Sequence, residues 1–175
     1  MSRLAVSVFG LDRPGIVAAV TRALAEAGGN LEDCSMTILR GHFAMMLLVA
    51  VPGAAGPVEQ ALVPVAERLD LQVSVRPLDD EVTSARTSGP RWVLAVYGTD
   101  RPGLVARVAE VLAAHGANIT DLESRVIGEP EPVYAMHFEL EVPGAEVEAI
   151  RAELMTVAGE LGVEISMHPD DADVL

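Results

Sequence analysis

Two identical four-residue segments, Asp12-Arg13-Pro14-Gly15 and Asp100-Arg101-Pro102-Gly103, are the clearest chemical signal in this chain. Each is followed by apolar residues at helical spacing, beginning at Ile16 and Leu104, so each turn is expected to open a helix. The free backbone N–H groups and the dipole at a helix N-terminus attract an anion. Gly15 and Gly103 lack a Cβ, which lets a carboxylate approach the main chain closely. Further on, Asn30-Leu31 and Asn118-Ile119 open the next strand in each copy. An asparagine amide both donates and accepts, which suits the amine and carboxylate of an amino acid. A plainer reading stands beside this one. Asp12 and Asp100 can cap the helix, Pro14 and Pro102 can set its first turn, and the asparagines can take left-handed backbone after glycine. The residues by themselves leave both readings open.

Other reactive residue types form no comparable pattern. His42, His115, His137 and His168 lie on different elements without metal-ligand spacing and read as surface or structural groups. Cys34 has no histidine or cation beside it in sequence and is expected to be a buried strand residue. Met45 and Met46 read as packing residues, and Glu139 and Glu141 as a solvated strand face. There is no nucleophile elbow, Walker loop or dinucleotide fingerprint, so neither a catalytic group nor a cofactor is expected.

The elements that position the two turns form an internal repeat. Nearly half the residues from Leu4 to Asp33 recur from Trp92 to Asp121, and Val51-Pro52-Gly53 recurs as Val142-Pro143-Gly144. The expected organisation is a unit over 1–78, a polar linker over 79–90, a second unit over 91–168 and an acidic tail over 169–175. In the first unit Leu4, Val6 and Val8 alternate as a strand, and Ile16 to Ala27 repeat as a helix stopped by Gly28-Gly29. Leu31–Leu39 and Phe43–Val51 read as strands around a tight Arg40-Gly41-His42 turn. Pro57–Leu69 reads as a second helix, and Leu71, Val73 and Val75 as a last strand. The order β-α-β-β-α-β, twice, is an α+β fold of two ferredoxin-like units, each an antiparallel four-stranded sheet with two helices on one face. Phe43–Val51 is apolar on both faces, whereas its counterpart places His137, Glu139 and Glu141 on one. That difference predicts that the helix-free face of the first sheet packs against another sheet, from the other unit or a second chain.

Composition narrows the partners. The 175 residues carry a formal charge of −14, include no lysine, and scatter their arginines, which disfavours direct nucleic-acid or anionic-membrane binding. A single cysteine permits no intramolecular disulfide and no thiolate zinc site. No signal peptide or membrane-length apolar run is visible, and the expected location is the cytoplasm.

The turn G-x-D-R-P-G-[IL]-V, the helix with its glycine stop and the following N-[IL]-x-D resemble the ACT domain. The tandem arrangement, with Asn30-Leu31-Glu32-Asp33 and Asn118-Ile119-Thr120-Asp121, is similar to the glycine cleavage system transcriptional repressor family. That resemblance implies a regulatory module for a small amino acid, with Asp12 to Ile16, Asn30-Leu31, Asp100 to Leu104 and Asn118-Ile119 as its ligand regions, often at a seam between units. It also implies action through a protein partner such as a transcriptional activator, and association into a homo-oligomer. Similar units open formyltetrahydrofolate deformylases, where a catalytic domain follows; with none visible here, the expectation is a regulator and no enzyme. The competing expectation is a ligand-free ACT module that serves assembly.

Overall fold

The computed structural model describes residues 2–78, 89–128 and 133–170. The chain divides into two units, Met1–Ala85 and Arg86–Leu175. Unit 1 runs β1 (Ser2–Leu11), α1 (Ile16–Glu26), β2 (Asn30–Leu39), β3 (His42–Val51), α2 (Gly56–Leu69) and β4 (Leu71–Leu78). Unit 2 runs β5 (Arg91–Gly98), α3 (Leu104–Ala114), β6 (Asn118–Ile127), β7 (Val133–Glu141), α4 (Val147–Leu161) and β8 (Glu164–Pro169). Each sheet is antiparallel, in the orders β2-β3-β1-β4 and β6-β7-β5-β8. This is the α+β, split βαβ arrangement that the repeat predicts.

The alternation along the central strands decides which face is core. Leu4, Val6 and Val8 of β1 and Met45, Leu47 and Val49 of β3 are buried, and they meet Ile16, Val20 and Leu24 of α1 with Val58, Leu62 and Val65 of α2. Unit 2 repeats the plan with Leu94, Met136 and Phe138 under α3 and α4. Each unit therefore has its own apolar core.

Several local expectations are corrected. Neither aspartate caps its helix: the N-cap residues are Gly15 and Gly103, at φ 94° and 89°, with no side-chain cap bond. Pro14 and Pro102 lie in the turn ahead of the helix rather than in its first turn. The left-handed residue after α1 is Gly28 and not Asn30, and Gly116 has the same place in unit 2. Cys34 is exposed, because β2 is an edge strand whose ten residues all face solvent. It shares the helix-side face with Leu47, its partner on β3, but the helices do not reach over it. On the helix-free face of unit 1, Met46 is 58% exposed and Phe9 47% within the single chain. Most of the expected linker, together with the insertion at 129–132 and the tail from 171, lies outside the described residues. Pro169 ends β8, and Asp170 donates its N–H to the Arg91 carbonyl at 3.0 Å.

Candidate ligand site

Both turns are built from the residues that mark them in sequence. The Asp12 N–H donates to the Gly41 carbonyl at 2.8 Å, tying the first turn to the β2–β3 hairpin. A Cβ built on Gly15 or Gly103 would meet nothing within 4 Å, so the glycines answer to the positive φ and leave open space above them.

The asparagines open at the opposite end of the sheet. Asn30 pairs with Ala50, which pairs with Arg3, near the start of β1. The Asp12 turn leaves the other end of β1, beyond the Leu11–His42 pair. Leu11 lies eight strand steps along from Arg3, about 27 Å at the usual rise. Asn118 stands in the same relation to Asp100, because it pairs with Glu141 and Glu141 with Arg91. Within one unit, then, the structure does not bring the turn and the asparagine together. What the N-[IL]-x-D segment does build is a β-bulge, with a register shift between Leu31 and Asp33 and again between Ile119 and Asp121. The bulge sets the aim of the side chains around it. In the first unit it is closed by the Cys34 N–H donating to Asp33 Oδ1 at 2.8 Å.

The candidate residues therefore fall in different places. Asn118 and Ile119 line a cavity of about 390 Å³ with Arg91, Thr120, Glu139 and Glu141. Gly15 borders a separate groove between α1 and α2, while Gly103 borders open solvent. Arg91, Glu141 and Asn118 sit side by side on three adjacent strands, about 10 Å from first to last. Among the described residues Arg91 makes no ion pair. A guanidinium, a hydroxyl, an amide and two carboxylates thus converge on one shallow space. The chemistry of that set is complementary to a small zwitterion, a guanidinium for a carboxylate, two carboxylates for an ammonium, and an amide and a hydroxyl for either. The corresponding corner of unit 1 cannot do the same. Arg3 is drawn to Glu32, its Nε 3.0 Å from Oε2, and Leu48 and Ala50 stand where Glu139 and Glu141 stand. Sequence reading named Asn118 and Ile119 of this set, read Glu139 and Glu141 as a solvated strand face, and did not single out Arg91 or Thr120. The signal was available in the loss of the two acids between one repeat and the other.

A second polar cluster lies at the C-terminal end of α3. His115 Nδ1 is 2.7 Å from Glu146 Oε2, and Nε2 is 3.1 Å from Glu153 Oε1 on α4. The hydrogen bond to Glu146 and then the contact with Glu153 raise the His115 pKa above the ordinary 6.5, against a smaller opposing effect of burial. The helix C-terminus adds its own preference for a cation. Since the folded value is raised, the stabilisation is fully present below pH 6.5 and is lost as pH rises through the folded pKa. The expected result is that wild type and His115→Gln differ most in melting temperature below pH 6.5 and converge as the pH rises through the raised folded pKa. Melting curves at several pH values check this. Among the described residues no cluster of histidine, cysteine or acidic side chains is arranged to hold a metal ion. No helix among them is long and apolar enough to cross a membrane.

Comparison with known proteins agrees with this architecture. A family model described as an ACT domain matches residues 2–76 and again 91–168. The glycine cleavage system transcriptional repressor of Escherichia coli is 30% identical over 143 residues, covering 78% of this chain and 72% of that protein. A phosphoserine phosphatase of Streptomyces coelicolor is 30% identical over 172 residues; these are 94% of this chain but only 39% of the phosphatase. The crystal structure of a protein of unknown function from Galdieria sulphuraria superposes with a TM-score of 0.84 at 30% identity, covering 96% of this chain and 98% of that one. With two matched modules in tandem spanning most of its length, the chain belongs to the ACT domain family of regulatory proteins.

Proposed function

We propose that this protein is an amino-acid-responsive regulator whose ligand sits in unit 2, in the cavity of Arg91, Asn118, Thr120, Glu139 and Glu141. The observation that carries this reading is Arg91, without an ion pair among the described residues, lining one small cavity with Glu139 and Glu141, a charge pattern complementary to a zwitterion. The ACT assignment supports an amino acid as the ligand, and the repressor relative supports a transcriptional readout. The net charge of −14 makes an indirect effect the natural one, through a protein partner instead of DNA contact. On this reading the chain has no catalytic role of its own.

A screen of the standard amino acids by thermal shift tests the proposal. At a ligand concentration of 100 times Kd, binding is expected to add about 2.7 kcal/mol of stability. Asn118→Ala and Arg91→Ala are expected to remove the response without lowering the melting temperature of the free protein by more than a few degrees. A folded protein that answers to no amino acid would sink the reading.

A second reading rests on a different observation. The edge strand β2 is exposed along its whole length, with Leu31, Met36 and Ile38 between 44% and 51% exposed on its helix-side face. Long apolar edges are templates for pairing with another strand. A second copy of this chain is the proposed occupant, in a homodimer formed edge to edge. Antiparallel pairing with a β2 of that copy would lay the Asn30 end of one strand beside the hairpin end of the other. If the purified protein sediments as a monomer at micromolar concentration, this second reading fails.

A further inference from the structure

The helix layer of unit 1 contains a groove of about 440 Å³ between α1 and α2. Its floor is made of small or short side chains, Ala19, Ala23, Ala61 and Val65, and the exposed Arg22 and Arg68 stand on its rim. The repeat supplies an internal comparison. Counted from the N-cap glycines Gly15 and Gly103, Ala19 and Arg22 of unit 1 stand where Arg107 and Glu110 stand in unit 2. Arg68 stands where Glu160 stands, each three residues before the side chain that packs on the strand glycine, Leu71 on Gly10 and Val163 on Gly98.

In unit 2 these positions close on themselves. The Arg107 guanidinium lies 3.1 Å from Glu160 Oε2 and 3.5 Å from Glu110 Oε2, so one cation bridges α3 and α4 between two carboxylates. Unit 1 has the charges inverted and the centre removed. Two guanidiniums take the places of the carboxylates, and the methyl group of Ala19 takes the place of the bridging cation. Among the described residues neither Arg22 nor Arg68 has an ion pair or hydrogen bond. The group that would complete this arrangement is an anion between the two guanidiniums, and among the described residues no carboxylate, Glu26 of the same groove included, is paired with either.

We propose that the α1–α2 groove of unit 1 docks a helix of a protein partner, with an acidic side chain of that helix seated between Arg22 and Arg68. This deepens the functional reading above, on which the regulator acts through a partner. A free small carboxylate fits less well, because an ion pair at an exposed arginine is weak against solvent and salt. A helix adds apolar contact along the groove, which follows α1 from Gly15 to Glu26, about 16 Å. The alanines let another backbone approach closely, as ridges-into-grooves packing requires. Glu26 lines the same groove one turn beyond Arg22, so the complementary helix carries a basic residue about one turn from its acidic one.

The test uses the full chain and a fluorescent, alanine-rich helical peptide bearing glutamate and lysine one turn apart. Its counterpart has glutamine in place of glutamate. Binding is followed by anisotropy. The variant carrying Ala19→Arg, Arg22→Glu and Arg68→Glu rebuilds the closed clamp of unit 2 and is expected to melt no lower than wild type. The milder Arg68→Gln serves if the triple variant folds poorly. The expected result is saturable binding by wild type, weakened about tenfold by the glutamine peptide, by the variant and by raised salt. Equal affinity for both peptides, undiminished binding by the variants or no binding at all would overturn the proposal. So would displacement by succinate at matched concentration, which would assign the groove to free carboxylates. The amino-acid response of unit 2 is read on the same samples. If it is absent while the peptide still binds, the sensor reading fails and the docking site stands.

Discussion

Replacing Phe138 by alanine is expected to destabilise unit 2 by about 3–5 kcal/mol, with unit 1 left folded. Phe138 is fully buried on β7, between its partners Leu94 on β5 and Leu122 on β6, and belongs to the core of the second unit alone. Aromatic residues make up only 3% of the chain. The buried residues around it are Leu, Val, Ile, Met and Ala, and the two rings packed at the margin of that core, Trp92 and Tyr134, are only partly buried, so the space left by the lost ring is filled at best in part. The cost is then the lost burial together with an unfilled cavity. Urea denaturation followed by far-ultraviolet circular dichroism checks it. The expected trace has an early transition for unit 2 and an unshifted later one for unit 1, which keeps its own core. A shift of less than about 1 kcal/mol would mean that the core collapses around the site.

Gly98→Ala is the second large effect, expected at about 1–3 kcal/mol. A Cβ on Gly98 would lie 2.5 Å from Val163 Cγ1, 3.0 Å from its Cβ and 3.1 Å from its Cα. The side-chain contact can give way, but the Cα can move only if the backbone at the start of β8 shifts with it. The double variant Gly98→Ala, Val163→Ala is therefore expected to recover part of the loss of the first change, measured against Val163→Ala alone. Full additivity of the two changes would show that the crowding is absorbed elsewhere. The equivalent Gly10 meets Leu71 Cδ2 at 2.6 Å and the Asp70 carbonyl oxygen at 3.0 Å, so the same backbone packing recurs in both copies.

The fold was legible in the sequence because each local signal agreed with the others. The alternation of Leu4, Val6 and Val8, the Gly28 stop and the Arg40-Gly41 hairpin, both residues at positive φ, each appear in the structure as they read along the chain. The repeat then supported every element with a second example. The candidate site was less legible, for a physical reason. Short-range spacing places Asn30 shortly after α1 and the Asp12 turn shortly before it, but α1 runs back along the sheet and carries the two to its opposite ends. Cys34 was misread in the same way. A cysteine with no histidine or cation beside it reads as buried, and only the order β2-β3-β1-β4 shows that its strand lies at an edge. The meaning of Arg91 depends on strand pairing as well, since it joins Asn118 and Glu141 through contacts far apart in sequence.

Calorimetric titration tests most directly whether unit 2 holds a zwitterion. The chain is titrated with whichever amino acid raises its melting temperature most, and the titration is repeated on Asn118→Ala and on Asn30→Ala. The expected result is a single class of site, lost in Asn118→Ala and kept in Asn30→Ala, because Arg3 is held by Glu32 and the acids are missing from unit 1. Binding that survives Asn118→Ala, or that disappears in Asn30→Ala, would contradict the placement of the ligand in unit 2.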